Sequence, residues 1–269
     1  MQQITPSYKE VDYTEFVKRP ANEKDFSTLI DKDSVVVGKD GNPVLLYFKF
    51  PEDTTEVVEA CKAIPYQTSS RTGGLKTTSR IFGFDPATGI RKPYCSTTSL
   101  SWENPKEHEI ITNFSKRINE IYKERLPDAH ARHEQIVSEK IKDAWRIPGT
   151  PFTSGIINKN NQLNYHFDSG NFQGVYSNMV VFKSNVAGGY LALPEYDIGL
   201  QCADNTLVMF DGQSILHGVT PIKYYSPSAY RYSIVYYSLS QMWKCDDVTE
   251  EVAKIRNRRK KLEETNKSR

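Results

Sequence analysis

In the run "NYHFDSGN", residues 164–171, a histidine and an aspartate stand two positions apart in a segment that reads as a strand. In extended chain, residues i and i+2 point to the same side, about 7 Å apart. Leu163, Tyr165 and Phe167 therefore take one face, and Asn164, His166 and Asp168 the other. An imidazole and a carboxylate on one face can share a cation. A third donor, His217, follows 49 residues after Asp168 in "MFDGQSILHGVTPI", a loop rich in turn formers. Two imidazoles and one carboxylate with open positions left over are the set expected of a non-haem Fe(II) that must also bind oxygen and a co-substrate. Zinc accepts the same donors. A lone His-x-Asp is weak evidence, since the two side chains can simply hydrogen-bond each other at a strand end while the distant histidine caps a loop.

The run "YRYSIVYYSL" adds a fixed cation. Strand alternation places Arg231, Ser233, Val235, Tyr237 and Leu239 on one otherwise apolar face. A buried arginine needs an anion. If a 2-oxo acid chelates the iron, its far carboxylate is a natural partner for the Arg231 guanidinium, held bidentately and supported by the Ser233 hydroxyl. His-x-Asp, a distal His and an Arg 14 residues later form a specific combination.

The elements around these residues must position them. From residue 150 the apolar period is two, in short segments ("PFTSGIIN", "QLNYHFDSG", "SNMVVFKS", "GYLALPEYDIGL", "NTLVMFDG", "YRYSIVYYSL") separated by Gly, Asn, Pro and Asp turns. This is the pattern of an antiparallel sandwich or jelly roll. Upstream, 34–50 reads as a hairpin around an Asp-Gly-Asn-Pro turn and 51–64 as a short helix. Residues 108–126 and 131–145 read as two packed helices, a scaffold for the β-rich half. The polar stretch 68–102 shows no regular period and reads as a functional loop.

The chain has 269 residues, is 38% hydrophobic and 25% charged, and carries a net charge of +2, which describes a globular protein with no strong overall field. No apolar run is long enough to cross a bilayer, and "MQQITPSYKE" lacks the features of a signal peptide. An intracellular setting, cytoplasmic or nuclear, is expected. Cys61, Cys95, Cys202 and Cys245 form no CxxC pair and read as packing residues of a reducing compartment.

With "HFD" (166–168), "GGYLALPEYDIGL" (188–200), "NTLVMFDGQSILHGVTPI" (205–222) and "RYSIVYYSL" (231–239) in place, the chain resembles the Fe(II)/2-oxoglutarate dioxygenases, and within them the TET/JBP group of nucleic-acid base oxygenases. The resemblance spans roughly 150–240. It implies an α+β protein with a double-stranded β-helix (jelly-roll) core at about 150–245 and supporting N-terminal helices. The dioxygenase domain would run from 34 to 245, after an N-terminal extension (1–33) and before a basic C-terminal tail (246–269). It further implies His166, Asp168 and His217 as ligands of a catalytic Fe(II), Arg231 and Ser233 as the 2-oxoglutarate clamp, and O2 as the second co-substrate. The implied reaction is hydroxylation of the 5-methyl group of 5-methylcytosine or thymine in duplex DNA, the base being flipped into the pocket. On the same pattern Asn171 contacts the pyrimidine and Tyr237 stacks on it, although each also reads as a plain turn or packing residue. Where members acting on 5-methylcytosine often carry a histidine, this chain has Leu239, which puts cytosine recognition in doubt.

Two basic segments bear on a polymeric substrate. "RTGGLKTTSR" (71–80) offers Arg71 and Arg80 as phosphate contacts, or is a solvated loop. The tail packs six basic residues between Lys254 and Lys261, as a DNA grip or a frayed terminus. His130 and His133 in "HARHE" read as a solvated helix surface. A free nucleoside, small molecule or protein side chain is the alternative substrate, and a non-catalytic DNA-binding barrel is disfavoured by the complete triad and clamp.

Overall fold

The computed structural model describes residues 1–70 and 75–267. Eight strands are divided equally between two facing sheets. Ser154–Lys159, Ser177–Ser184, Thr206–Phe210 and Tyr230–Tyr237 lie in the larger, and Leu163–His166, Leu191–Leu193, Ile198–Leu200 and His217–Val219 in the smaller. Tyr230–Tyr237 pairs with both Ser154–Lys159 and Ser177–Ser184, and His217–Val219 with both Leu163–His166 and Leu191–Leu193, always antiparallel. This is the double-stranded β-helix. Its corners turn at Asn160, Asn185, Asp197 and Asn205, all left-handed at φ 53 to 57°. Their short polar side chains tolerate that conformation better than other non-glycine residues do.

Both faces of the larger sheet are buried, which is why its strands read as continuous apolar runs. In Ser177–Ser184, Val180 and Phe182 pack towards Ile111 and Ile118 of the long helix Pro105–Arg125, whereas Met179 and Val181 join Leu191 and Leu200 between the sheets. The helices Thr55–Ala63 and Pro105–Arg125 thus support the barrel from outside, and the latter, like Pro127–Lys140, starts on a proline whose missing N–H costs nothing there. The hairpin Ser34–Val37 with Pro43–Lys49 extends the larger sheet beyond Thr206–Phe210. Residues 1–33 contribute a strand to each sheet in parallel pairing, Gln2–Ile4 beside Ser34–Val37 and Thr28–Ile30 beside Ile198–Leu200.

Three expectations are corrected. Much of the stretch 68–102 is sheet, with Gln67–Ser70 pairing Lys76–Asp85, which in turn pairs Ser154–Lys159. Its Ser and Thr side chains suit a strand, but they erase the apolar alternation that would announce one. His130 and His133 are core residues, 6% and 0% exposed. Their polar partners come from distant sequence, Asn119 Oδ1 at 2.8 Å from His130 Nε2 and Ser238 Oγ at 2.7 Å from His133 Nε2. Finally, Cys95 and Cys245, 150 residues apart, are joined in a disulfide, while Cys61 and Cys202 are free and buried. No described helix is long and apolar enough to cross a membrane.

Burial pushes the His133 imidazole down to about 3. Its unfolded value is about 6.5. Being depressed in the fold, it contributes stability that is complete above about pH 6.5 and is lost as pH falls towards 3. Urea unfolding at pH 7 and pH 5 should show the native chain weakening, and His133→Asn should flatten that dependence. Equal slopes for the two proteins would mean that another group titrates.

Candidate active site

The cavity opens between the sheets, at the end of the jelly roll where Leu163–His166 and His217–Val219 meet. His217 is not in a loop: it begins a short strand and stands directly across from His166. The two rings lie 4.4 Å apart, centroid to centroid, and Asp168 Oδ1 is 3.7 Å from His166 Nε2 and 3.8 Å from His217 Nε2. One donor atom from each of the three residues falls within 4.8 Å of the others. Each imidazole is oriented the same way, with Nδ1 2.8 Å from a backbone carbonyl two residues earlier, Asn164 O for His166 and Ile215 O for His217. Nδ1 must therefore donate, which leaves the Nε2 lone pair aimed at the shared centre, as metal-bound histidines require.

Asp168 lies just past the strand end, where the alternation read from sequence breaks, so that Phe167 and Asp168 both line the cavity. Its backbone N–H donates to Gly212 O at 2.9 Å, and a Cβ on Gly212 would sit 2.3 Å from Asp168 Oδ2. Glycine at 212 is thus what lets the loop before His217 close against the carboxylate. His217 is buried, but His166 and Asp168 keep 31% and 29% of their side chains exposed. An ion held here would still have open positions facing the cavity.

The wall opposite carries the cation. Arg231, 1% exposed, and Ser233, 4% exposed, share the cavity face of Tyr230–Tyr237 with Val235 and Tyr237, as alternation predicts. Burial lowers the Arg231 guanidinium from its ordinary value. Its Nε and Nη2 have no hydrogen-bond partner among the described residues. Gly189, at φ 65°, packs its backbone on the same side chain, where a Cβ would come within 2.8 Å of Arg231 Cδ and Nε. A buried, locked guanidinium with two idle donors is costly unless an anion completes it. The cavity, about 290 Å³, joins this cation to the His166, Asp168 and His217 cluster. The residues would fit a divalent ion at the three donors and a carboxylate at Arg231.

Asn171 and Leu239 also reach the cavity and form an isolated bridge with each other. Asn171 is 6% exposed, with Nδ2 donating to Ser177 Oγ at 2.9 Å. Arg80 is the exception among the candidate site residues. Paired with Ile157 rather than Ile156, it faces the helices, where it is ion-paired with Glu103 and donates to Ser99 Oγ at 2.9 Å, so it contacts no substrate in the cavity. Arg71 lies outside the described residues. Asn158 was missed by sequence reasoning. It stands beside Ser233 in the sheet, and its Oδ1 accepts from Asn161 Nδ2 at 3.1 Å. In the run "NKNNQLN" it looks like one more turn residue, and only strand pairing distinguishes it.

A jelly roll whose open end carries this His-x-Asp…His cluster opposite a buried arginine belongs to the class of 2-oxoglutarate- and Fe(II)-type oxygenases. Residues 81–240 match the model of the TET/JBP oxygenase domain of the 2OGFeDO superfamily, and the chain belongs to that family. It is 28% identical over 157 residues to thymine dioxygenase JBP1 of Trypanosoma brucei brucei, covering 58% of this chain and 18% of the relative. Against thymine dioxygenase JBP1 of Crithidia fasciculata it is 27% identical over 192 residues, covering 70% and 23%. The chain thus spans about a fifth of the length of these curated relatives. Among solved structures, NgTET1 in complex with 5mC DNA superimposes with a TM-score of 0.58 at 17% identity, over 86% of this chain and 90% of that one, and so shares the fold.

Proposed function

We propose that this protein is an Fe(II)- and 2-oxoglutarate-dependent dioxygenase that hydroxylates the 5-methyl group of a pyrimidine in duplex DNA. One observation carries the reading above all: the buried Arg231, with Nε and Nη2 lacking a hydrogen-bond partner, lines the same cavity as the three-donor cluster. Cleaving a methyl C–H bond is beyond side-chain acids and bases, and ferrous ion with 2-oxoglutarate and O2 supplies that oxidising power when bound. The balance is one O2 and one 2-oxoglutarate consumed, with the hydroxylated base, succinate and CO2 released.

The chain's own residues bind and orient. His166, Asp168 and His217 would hold the ion, the two histidines offering Nε2. Arg231 would take the distal carboxylate of 2-oxoglutarate on Nε and Nη2, with the Ser233 hydroxyl and the Asn158 amide beside it. Phe167 and Tyr237 offer ring surface to a flipped base, and Asn171 a polar contact. The Leu239 side chain offers no hydrogen bond to a base edge, at a position where family members acting on 5-methylcytosine often carry a histidine. Together with the thymine dioxygenases among the relatives, this favours thymine.

The test is to incubate the Fe(II)-loaded protein with 2-oxoglutarate and two duplexes, one unmodified and one containing 5-methylcytosine. Digestion and mass spectrometry should find 5-hydroxymethyluracil from both. Turnover of 2-oxoglutarate with neither duplex changed would keep the iron site and remove DNA as the substrate, leaving a nucleoside, small molecule or protein side chain.

A further inference from the structure

Ile81 stands directly opposite Ile156 on the neighbouring strand, so both side chains lie on one face of the larger sheet. Ile156 lines the cavity, and Ile81 lines a second groove next to it, about 800 Å³ in volume. The far wall of that groove is the start of the Val248–Lys267 helix, through Val248, Val252 and Ile255. The helix is fixed at its root. The Glu251 carboxylate accepts from the backbone N–H groups of Cys95 and Asp246 at 2.8 and 2.9 Å. Trp145 Nε1 donates to Asp246 O at 2.8 Å, and the Cys95–Cys245 disulfide ties the chain entering the helix to the body of the protein.

Beyond this root the helix runs outward, with Arg259 still on the rim of the groove. From Arg256 to Thr265 every residue but the half-buried Arg258 is exposed. At about 1.5 Å per residue these ten residues make an arm roughly 15 Å long. Lys254, at the root, is neutralised by Asp246 and Glu251. Arg256, Arg258, Arg259, Lys260 and Lys261 have no ion-pair partner among the described residues. The exposed arm from Arg256 to Thr265 carries five basic residues against Glu263 and Glu264, a net charge of +3, while the rest of the chain sums to −1. The positive field of the molecule is therefore concentrated on one rigidly rooted arm beside the cavity.

We propose that this arm grips the phosphate backbone of the duplex whose base enters the cavity, an inference that rests on the DNA reading above. The place and the charge both favour a duplex. Leu262 is the only apolar side chain of the exposed arm, so a membrane surface has almost nothing to take up. An acidic protein would have no reason to dock beside a cavity built for a base.

The test uses the full chain with Arg256→Gln, Arg258→Gln, Lys260→Gln and Lys261→Gln combined. Glutamine preserves helix propensity and the positions lie outside the core. Fluorescence anisotropy with a labelled duplex across a salt series should show the native protein binding with a steep salt dependence. Each phosphate contact contributes about 0.9 to that slope, so the variant should lose roughly 2 to 4 units and bind about 10- to 100-fold more weakly near 0.1 M salt. Calorimetric binding of 2-oxoglutarate to the Mn(II)-loaded variant should match the native protein. If the variant keeps native affinity and slope while the native protein oxidises DNA, the arm inference is overturned and the base reading stands. If the native protein neither binds nor oxidises duplex DNA, the base reading fails and the arm inference with it. Weakening confined to anionic vesicles or duplex RNA would likewise overturn DNA as the partner.

Discussion

Replacing Arg231 with methionine is expected to abolish 2-oxoglutarate binding while leaving the fold at least as stable as before. The two halves have one cause. Arg231 is 1% exposed with two nitrogens unpaired, so without its anion it is a buried charge that the fold must tolerate. An uncompensated buried ion costs several kcal/mol, and apolar replacements of similar volume are often neutral or stabilising. Methionine is unbranched and flexible enough to fill the space. With the co-substrate present the sign reverses, because a bidentate guanidinium–carboxylate pair in a desolvated site is lost, typically about 3 to 5 kcal/mol when one partner is truncated. At 1.4 kcal/mol per tenfold that is roughly a 10²- to 10³-fold or greater loss of affinity. Calorimetric titration of 2-oxoglutarate into the Mn(II)-loaded proteins reads the first half, and the thermal midpoint without co-substrate reads the second. Near-native 2-oxoglutarate affinity in Arg231→Met would remove the residue from the clamp, and a large fall in the midpoint would show that it is structural.

Removing one of the three proposed metal ligands is expected to have the other large effect, and the loop before His217 allows it to be graded. His217→Ala takes away one of three protein donors and is expected to leave no measurable hydroxylation, with metal affinity reduced by orders of magnitude. Gly212→Ala keeps all three donors, but its new Cβ would stand 2.3 Å from Asp168 Oδ2, so the carboxylate must swing away. Disturbing the support of a ligand typically costs 10- to 100-fold in metal affinity or activity, and that is the expected range. Co(II) absorption titrations should rank the native protein above Gly212→Ala and Gly212→Ala above His217→Ala. If Gly212→Ala binds Co(II) like the native protein, the contact with Asp168 does not set the geometry.

The chemistry was legible because it is carried by local patterns. His166 and Asp168 declare themselves by a spacing of two at a strand end, Arg231 and Ser233 by the same spacing inside another strand, and the series of short β-segments predicts a two-sheet architecture. What misled was polarity taken as exposure. Ser and Thr in Lys76–Asp85 conceal a strand one in from the edge of the extended sheet, and His130 and His133 look solvated until Asn119 and Ser238 arrive to satisfy them. Arg80 reads as a phosphate contact within a basic stretch, yet a one-residue difference in register from Ile81 turns it to the helix side, towards Glu103. The pairing of Cys95 with Cys245 carries no sequence signal at all.

By itself, then, the sequence determined which side chains share a strand face, because alternation with period two is a property of the backbone and needs no other part of the chain. Only the tertiary structure decided which faces meet. It set His217 across from His166, left two nitrogens of Arg231 without a hydrogen-bond partner in its wall, and rooted the basic helix beside the cavity. Those outcomes depend on strand pairing between segments about 50 to 80 residues apart, where register and desolvation are set by what packs on the other side.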